Sequence, residues 1–431
     1  MQYLLLIVGV LIYQPLMAEI ILPPIDDIPQ SSIDLADATV LKPRIVGVDV
    51  KERLSEIEQT GFPRIRGYAC DYYKFDAPDV LIGFESFHKK KADDERYQRI
   101  SNFFRTASSG CMGGDADQCN LVKRSAMEWA TTPGAGELPN ETFNKNRSLQ
   151  WTVNARLLRP MLYAVGVVHQ IIPFSESELK ILDSWFLKTF EHSQENNRNM
   201  GDTRLPDGIV VSEEAQNHAV MSAATAMALG VWLADDDLFR VGINQWFLTL
   251  STLRDDGSLP LEATRGGFAA YYTGATLTAL ASISQVAAVQ GIDLWGQDGN
   301  QDKSFERAAM FFMRVVQKPE LIFDYARANN SNTAFGKRFD YKKQIFSHDN
   351  IDGKFASGRE SPFGWYVLFK NRFPGSELIL FAESLDGSES NLAMTAIQAI
   401  AEPGMSSSWQ GTDASCFYGP AEHWAKKLRK K

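Results

Sequence analysis

Apolar side chains in the middle of the chain recur at the spacing of an α-helix. The sequence Ser175-Glu176-Ser177-Glu178 has the form of a helix capping box, and apolar residues follow it at Leu179, Leu182, Phe186 and Phe190. Steps of three and four residues place such side chains on one helix face, whereas a half-buried strand alternates every second residue. The pattern predicts an amphipathic helix that begins close to Ser175.

Three further helices are predicted one after another. The Ala-rich segment Ala215–Leu233 keeps apolar positions on one side, and Leu238–Leu253 gives a second helix that ends before the turn Asp255-Asp256-Gly257. A third runs from about Phe268 to Gln290 and ends at Gly291, a residue typical of the position after a helix. Helices joined by short loops, with little strand-like alternation, indicate an all-α protein. Antiparallel helix pairs around a central cleft are one economical arrangement.

The first residues have the features of a secretory signal, residues 1–18. The apolar run Leu4–Tyr13 is too short to span a bilayer, and Leu16-Met17-Ala18 offers a small-residue cleavage site before Glu19. The segment before the apolar run contains no Lys or Arg, so a retained anchor stays open as an alternative. We predict a periplasmic or secreted protein with no membrane span after cleavage.

The rest of the chain divides in two by pattern. Residues 19–93 are predicted to form an extended N-terminal arm and a candidate lid, because 19–65 is Pro-rich and acidic without a strong period. Residues 94–431 are predicted to form one helical domain that carries the site. Within that domain, the part from about Phe346 is richer in Gly, Ser and Pro and gives no clear prediction.

Four cysteines follow the predicted signal: Cys70, Cys111, Cys119 and Cys416. An even number in an exported chain permits two disulfides. Cys111 and Cys119 flank a short Gly/Asp-rich loop and are the favoured pair, which would leave Cys70 to pair with Cys416. No Cys or His cluster has metal-ligand spacing, so we expect no metal and no other cofactor.

The formal net charge of −9 argues against nucleic acid as a partner, because binding it needs a basic surface. The same charge also disfavours an enzyme that acts on a polyanion. A cleft on an acidic protein can still be locally basic, and the local field steers a charged ligand more than the total charge does. We assume a monomer.

One region combines an amide, an imidazole, a guanidinium and a phenol, in Gln216-Asn217-His218, Arg265 and Tyr272. Seven residues on a helix return to within about 20° of the same face, so Arg265 and Tyr272 are expected to lie together. Gly266-Gly267 weakens a helix at this point, which favours a loop position for the arginine. Each residue alone is more often structural, and the simplest partner for Arg265 is Glu262. Only the combination indicates a site.

These residues resemble the alginate lyase family of the mannuronate-specific type. The likeness is continuous from about Ala215 to Leu294, and it extends more weakly through residues 119–165. The family resemblance implies an (α/α) toroid, or incomplete barrel of antiparallel helix pairs, around a deep cleft. It also implies cleavage of an anionic uronate polysaccharide by β-elimination. The residues that carry the likeness are Gln216-Asn217-His218, Leu259-Pro260, Glu262, Arg265, Tyr272, Gly291-Ile292-Asp293-Leu294 and, upstream, Arg147-Ser148-Leu149-Gln150-Trp151 and Tyr73-Lys74-Phe75.

The resemblance assigns four catalytic roles. Asn217 and Arg265 would hold the uronate carboxylate and neutralise it, His218 would assist at the reacting sugar, and Tyr272 would transfer the proton. These types suit the chemistry, because the C5 proton of a uronate becomes acidic only when charge can move into the adjacent carboxylate. A phenol has a reference pKa of about 10, and a neighbouring cation favours the phenolate.

Lys74, Gln216 and Trp151 are predicted as substrate-binding residues, with Lys74 reaching the substrate from the arm. The sequence departs from the family in two places. Gln216 stands where Asn is usual, and Gly266-Gly267-Phe268 replaces a basic run. These changes leave the preferred polymer open between polymannuronate and a glucuronate-containing chain.

Two other classes of function remain open. A glycoside hydrolase would need two carboxylates that flank the bond, with candidates in Asp207, Glu213, Glu214 and Glu262. A non-catalytic exported protein that binds an anionic polysaccharide is the other alternative. Retention of all four candidate catalytic residues argues against a decayed site.

Overall fold

The structure is a computed structural model. It describes residues 38–59, 76–82, 91–135, 153–194, 202–205, 210–212, 217–265, 269–297, 303–322, 325, 362–387, 393–394, 396–397, 400, 412 and 414–418. The predicted signal segment lies outside these residues, as do Cys70, Lys74, Trp151 and Gln216.

Helices account for most of the described elements. The α-helices are α1 (Val50–Gln59), α2 (Lys91–Met112), α3 (Ala116–Thr131), α4 (Arg159–Ile171), α5 (Glu176–Gln194), α6 (Asn217–Leu233), α7 (Asp236–Ser251), α8 (Pro260–Ala263), α9 (Ala269–Val289), α10 (Phe305–Gln317), α11 (Gly364–Arg372), α12 (Glu377–Glu383) and α13 (Ala414–Phe417). A π-helical turn, Val153–Leu158, precedes α4, and a 3-10 turn, Pro319–Ile322, follows α10.

The prediction of an all-α protein is confirmed. The strands among the described residues are short, β1 (Asp202–Arg204) and β2 (Val210–Ser212). They pair antiparallel with Thr203 opposite Val211. They form a small hairpin ahead of α6 and leave the helical architecture unchanged.

The sequence signals at two helix ends are present in the structure. At the start of α5 the Glu178 carboxylate accepts the Ser175 N–H at 2.7 Å, and Ser175 Oγ accepts the Glu178 N–H at 3.3 Å, a reciprocal capping box. At the end of α9, Gly291 has φ +86°, and the Ile292 N–H donates to Ala287 O. This is the Schellman arrangement expected of a C′ glycine.

Helices α6 and α9 lie at the centre of the fold. Helix α6 packs against α4, α7 and α9, and α9 packs against α10 and α11 as well. Both helices are apolar on nearly every side, and the structure buries almost all of their residues. A helix that is apolar all round is stable only when neighbours cover it. The first turns of α6 and α9 therefore offer a rigid base for a site.

The predicted extended arm is not extended throughout, because it contains α1. Val50, Arg53 and Ile57 are the buried residues of this helix and recur at helical spacing. Val46 and Val48, just before it, are also buried in the core. The acidic and Pro-rich composition of the region obscured this short pattern.

The segment 38–49, here called the strap, crosses the ends of several helices. Arg44 donates two hydrogen bonds to the Asp183 carboxylate, and its guanidinium carbon lies 4.5 Å from the ring centre of Trp232. The Trp232 Nε1–H donates to the same carboxylate at 2.8 Å. Gly47 follows with φ +72°, and its Cα faces the Tyr163 ring so closely that an added Cβ would lie 1.9 Å from Cε1. The strap is therefore fastened to α4, α5 and α6.

The predicted disulfide between Cys111 and Cys119 is confirmed, and it closes the turn between α2 and α3. Cys416 is also disulfide-bonded. Its predicted pairing with Cys70 stays a prediction, because Cys70 lies outside the described residues. None of the described helices is both long and apolar enough to cross a lipid bilayer.

Candidate active site

Two of the predicted catalytic residues begin α6. Asn217 is its first residue and is fully buried, and His218, next to it, is half-buried. Neither the Nδ2 nor the Oδ1 atom of Asn217 has a hydrogen-bond partner. A buried amide without partners costs about 1–3 kcal/mol for each unmet group, so it needs an explanation. A ligand that binds this amide would supply one.

Glu262 connects this helix start with the next part of the site. It lies in α8 with 1% of its surface exposed, and its Oε1 accepts the backbone N–H of Asn217 at 2.8 Å. Its Oε2 is 3.7 Å from Nη1 of Arg265. Burial raises the pKa of the Glu262 carboxyl, while Arg265 and the Asn217 N–H act in the opposite direction.

Arg265 and Tyr272 lie together, as predicted. The guanidinium carbon of Arg265 is 3.7 Å from the centre of the Tyr272 ring, a cation–π contact. The two residues do not share one helix, because α8 ends at Ala263 and α9 begins at Ala269. The loop position expected for Arg265 is therefore observed, and the fold rather than helical periodicity brings the pair together.

The two adjacent tyrosines of α9 differ in surroundings. Tyr271 is buried in the core, whereas Tyr272 is half-buried and carries the guanidinium on its face. Their rings meet edge to face with centres 5.3 Å apart. Tyr272 is thus held on two sides, by an aromatic edge and by a cation.

Asn217, Arg265 and Tyr272 are linked into one cluster through Glu262. The amide supplies a neutral donor and acceptor, the guanidinium a fixed positive charge and the phenol a proton carrier. The Asn217 side chain is sealed from solvent in this structure.

Three predicted substrate-binding residues, Lys74, Trp151 and Gln216, lie outside the described residues. The link that sequence reasoning missed is the bond from Glu262 to Asn217. Glu262 was recognised as an ion-pair partner of Arg265, which the structure supports at 3.7 Å. Its bond to a residue 45 positions earlier has no signal in local spacing. Within the described ranges, no group of three or more His, Cys, Asp or Glu side chains is placed to hold a metal.

A family model described as alginate lyase matches residues 70–322, which is more than half of the chain. The chain belongs to the alginate lyase family. The match spans the whole cluster from Asn217 to Tyr272. Comparison with curated protein sequences gives no match.

Solved structures with the same fold include alginate lyase A1-III from Sphingomonas species A1. This structure is 18% identical, has a TM-score of 0.63 and covers 90% of this chain and 99% of its own. A tyrosine-to-phenylalanine variant of alginate lyase A1-III, complexed with a tetrasaccharide, gives the same values. A histidine-to-alanine variant with a tetrasaccharide has 18% identity, a TM-score of 0.62 and coverage of 90% and 98%. This protein therefore has the α/α toroid fold.

Proposed function

We propose that this protein is a polysaccharide lyase that cleaves a 1,4-linked uronate polymer by β-elimination, with alginate as substrate and polymannuronate preferred. The observation that carries the proposal is the Arg265 guanidinium on the Tyr272 ring, joined through Glu262 to the unpaired amide of Asn217. These are the groups that a metal-free elimination beside a carboxylate requires.

In the first part of the reaction, Asn217 and Arg265 bind the carboxylate of the sugar that will lose its proton. The C5 proton is poorly acidic while that carboxylate keeps its full charge. A fixed cation and a buried amide donor stabilise the charge that moves into the carboxylate as the proton leaves. The amide is the right kind of group, because its donor is unsatisfied before the substrate arrives.

In the second part, Tyr272 takes the C5 proton, and the electron pair of the C5–H bond forms the C4–C5 double bond. The C4–O4 bond breaks, and the leaving O4 receives a proton from the same phenol. No water is consumed. In mannuronate H5 and O4 lie on one side of the ring, so one phenol serves both steps. His218, next to Asn217, assists at the reacting sugar.

The preference for polymannuronate follows from that single-phenol geometry. Guluronate has the opposite configuration at C5 and fits it less well. Glucuronate differs from mannuronate only at C2, so the same four residues would serve a glucuronate-containing polymer as well. Contacts to O2 and O3 must then decide, and Lys74, Gln216 and Trp151 are our candidates for substrate binding.

The solved relatives support these roles. A tetrasaccharide is present in structures of alginate lyase A1-III in which a tyrosine or a histidine has been replaced. Retention of a bound sugar after such a replacement is what we expect of residues that act in chemistry more than in binding. The proposal includes a periplasmic or secreted location for a monomeric enzyme that needs no cofactor.

A hydrolase on the same fold has less support. Of its four candidate carboxylates, Glu262 is the only one that the structure describes, and it is buried and engaged by the Asn217 N–H and by Arg265. A general acid or nucleophile must instead reach the glycosidic oxygen or the anomeric carbon.

One assay tests the proposal against its alternatives. Purified protein is incubated separately with polymannuronate, polyguluronate, polyglucuronate and mixed alginate. Ultraviolet absorbance of the conjugated C4–C5 double bond and the release of reducing ends are followed together. Elimination gives both signals, most strongly on polymannuronate. Reducing ends without that absorbance mean hydrolysis, and neither signal together with measurable polymer binding means a binding protein.

A further inference from the structure

Glu262 carries a buried carboxylate that the proposed reaction does not use. It is 1% exposed, and one oxygen accepts the Asn217 N–H while the other has no hydrogen bond and faces Arg265 at 3.7 Å. A buried carboxylate is costly unless it is paired and hydrogen-bonded. A partly satisfied one, placed between two residues of the site, points to a role beyond packing.

Helices α4, α8 and α11 have no side-chain cap, whereas several other described helices are capped locally. At each of these caps a side chain accepts the N–H of a residue two or three positions later, and the capping residues are Asp115 before α3, Asp235 before α7, Ser304 before α10 and Ser376 before α12. At the start of α6 the acceptor is a carboxylate 45 positions away. A local cap satisfies the helix, whereas this one also fixes where the helix start lies relative to α8.

The Arg265 turn is tied to the same residue. The backbone N–H of Arg265 donates to the carbonyl oxygen of Glu262 at 3.1 Å. The Arg265 guanidinium also lies close to Oε2 of Glu262 and contacts the face of the Tyr272 ring. Glu262 therefore holds the arginine through its main chain and Asn217 through its side chain. A carboxylate at a helix N-terminus is also favoured by the helix dipole.

We propose that Glu262 is a positioning residue: its carboxylate sets the start of α6 against the Arg265 turn, so that the Asn217 amide and the Arg265 guanidinium meet one substrate carboxylate. This inference rests on the proposed function and assigns Glu262 no contact with the reacting sugar. The negative charge of Glu262 is part of this role, because the carboxylate attracts the Arg265 guanidinium from the buried side.

Two substitutions separate the hydrogen bond from the charge. Glu262→Gln keeps an oxygen that can accept the Asn217 N–H but removes the charge, whereas Glu262→Ala removes both. A misplacement of about 1 Å in a catalytic group costs roughly 10²-fold in rate, so we expect Glu262→Ala to lower kcat by about that factor. We expect Glu262→Gln to recover part of the loss, and KM to change much less than kcat in both variants.

Glu178 offers a matched control at the other end of the fold. Its carboxylate also accepts a backbone N–H, from Ser175 at 2.7 Å, and pairs with a cation, Lys123 at 2.9 Å. Lys123 lies over the ring of Phe174, which packs on Trp232 near the far end of α6. Glu178→Gln removes a carboxylate charge that is similarly bonded but partly exposed, at 28%, and we expect its kcat and KM to match wild type.

A double-mutant cycle distinguishes positioning from a general loss of structure. If Glu262 acts through Asn217, then Glu262→Ala costs much less in an Asn217→Ala background than in wild type. Independent effects would multiply instead. Circular dichroism and the thermal midpoint of each variant establish folding at the assay temperature.

The remaining outcomes each exclude one hypothesis. Wild-type kcat in both Glu262 variants, or multiplicative losses in the cycle, overturns the positioning role and leaves lyase activity standing. If neither Glu262 variant folds while Glu178→Gln does, Glu262 is structural and the inference falls. If wild type forms no unsaturated product, the proposed function fails first and the inference fails with it.

Discussion

The guanidinium carbon of Arg265 lies 3.7 Å from the centre of the Tyr272 ring, although the two residues belong to different elements. The cation covers one face of the phenol and limits its orientation. The same guanidinium is the charge that we assign to the substrate carboxylate. Binding and proton transfer are therefore coupled through one side chain, and substitutions at the two residues should have different kinetic consequences.

We expect Tyr272→Phe to abolish turnover and to leave polymer binding largely intact. The phenyl ring can still carry the Arg265 guanidinium, while the oxygen that moves the proton is gone. General acid–base groups contribute typically about 10²–10⁴-fold to the rate. Because one group here serves twice, kcat should fall by a factor in the upper part of that range, or below detection. The measurement is the initial rate of ultraviolet absorbance on polymannuronate, with affinity measured separately by calorimetry.

Tyr271→Phe is the matched control for that change. It removes the hydroxyl from the neighbouring tyrosine, which is buried in the core. We expect a loss of stability but a kcat within a few-fold of wild type. A Tyr272→Phe enzyme that retains wild-type kcat would remove Tyr272 from the mechanism.

We expect Arg265→Ala to impair both binding and turnover. The guanidinium binds the substrate carboxylate in the ground state and stabilises its developing charge, so KM should rise and kcat should fall. Loss of one preorganised electrostatic group costs about 10²–10³-fold in kcat. Arg265→Lys keeps a positive charge but not the planar fork, and should recover only a small part.

Arg372→Ala provides the comparison for Arg265. Arg372 pairs with Asp293 at 2.7 Å, and both side chains are more than half exposed, at 56% and 51%. Such surface pairs contribute little, about 0–1 kcal/mol. Steady-state kinetics on polymannuronate should give wild-type values for it. Equal effects from the two arginine variants would contradict a specific role for Arg265.

Stability should decrease on the acid side of neutrality because of His169. Its pKa is lowered from the ordinary value of 6.5, first by burial and then by Arg44 and Lys123. Its Nδ1 accepts the N–H of Phe174 at 3.2 Å, which requires the neutral ring. An unfolded chain protonates this histidine more readily. The stabilisation is therefore complete above the unfolded-state pKa of about 6.5 and is lost as pH falls from there through the folded-state pKa.

Urea denaturation of wild type and of His169→Gln at a series of pH values below neutrality measures the effect. The glutamine carries an acceptor oxygen but does not titrate. The difference in free energy of unfolding between the two proteins should shrink as pH falls from about 7.5 towards the folded-state pKa. A difference that does not change with pH would show that His169 does not couple protonation to folding.

The sequence predicted α5, α6, α7 and α9 well, because their signals are local. The capping box at Ser175 and the glycine at Gly291 place the start of α5 and the end of α9 where the structure has them. The catalytic groups came from family resemblance, and their meeting depends on packing between α6, α8 and α9. The bond from Glu262 to Asn217 could not be predicted, since no periodicity relates residues 45 positions apart.

The helix within the predicted N-terminal arm was missed for a related reason. The strap is held by hydrogen bonds between its backbone and distant side chains. Lys42 N–H donates to Gln290 at 2.6 Å, and Val40 N–H donates to Asp236 at 2.8 Å. Such contacts leave no hydrophobic period in the strap itself. Composition alone therefore indicated an arm, whereas the fold uses the segment to tie helix ends together.

We expect Gly47→Ala to destabilise the protein without changing its active site. Gly47 has φ +72°, a conformation that costs an L-residue about 1–2 kcal/mol. The new Cβ would also lie 1.9 Å from Cε1 of the buried Tyr163, and overpacking of this kind costs typically about 1–3 kcal/mol. The free energy of unfolding, from urea denaturation, should fall by the sum of the two, about 2–5 kcal/mol.

Gly375→Ala is the control, because a Cβ at Gly375 would meet nothing within 4 Å. It should leave the free energy of unfolding within about 0.5 kcal/mol of wild type, as is usual for surface substitutions. At a temperature where Gly47→Ala remains folded, its kcat and KM should equal those of wild type, because the strap contacts Tyr163 of α4, Asp183 of α5 and Trp232 at the end of α6 opposite to Asn217. Wild-type stability in Gly47→Ala would mean that the strap does not clamp the helices.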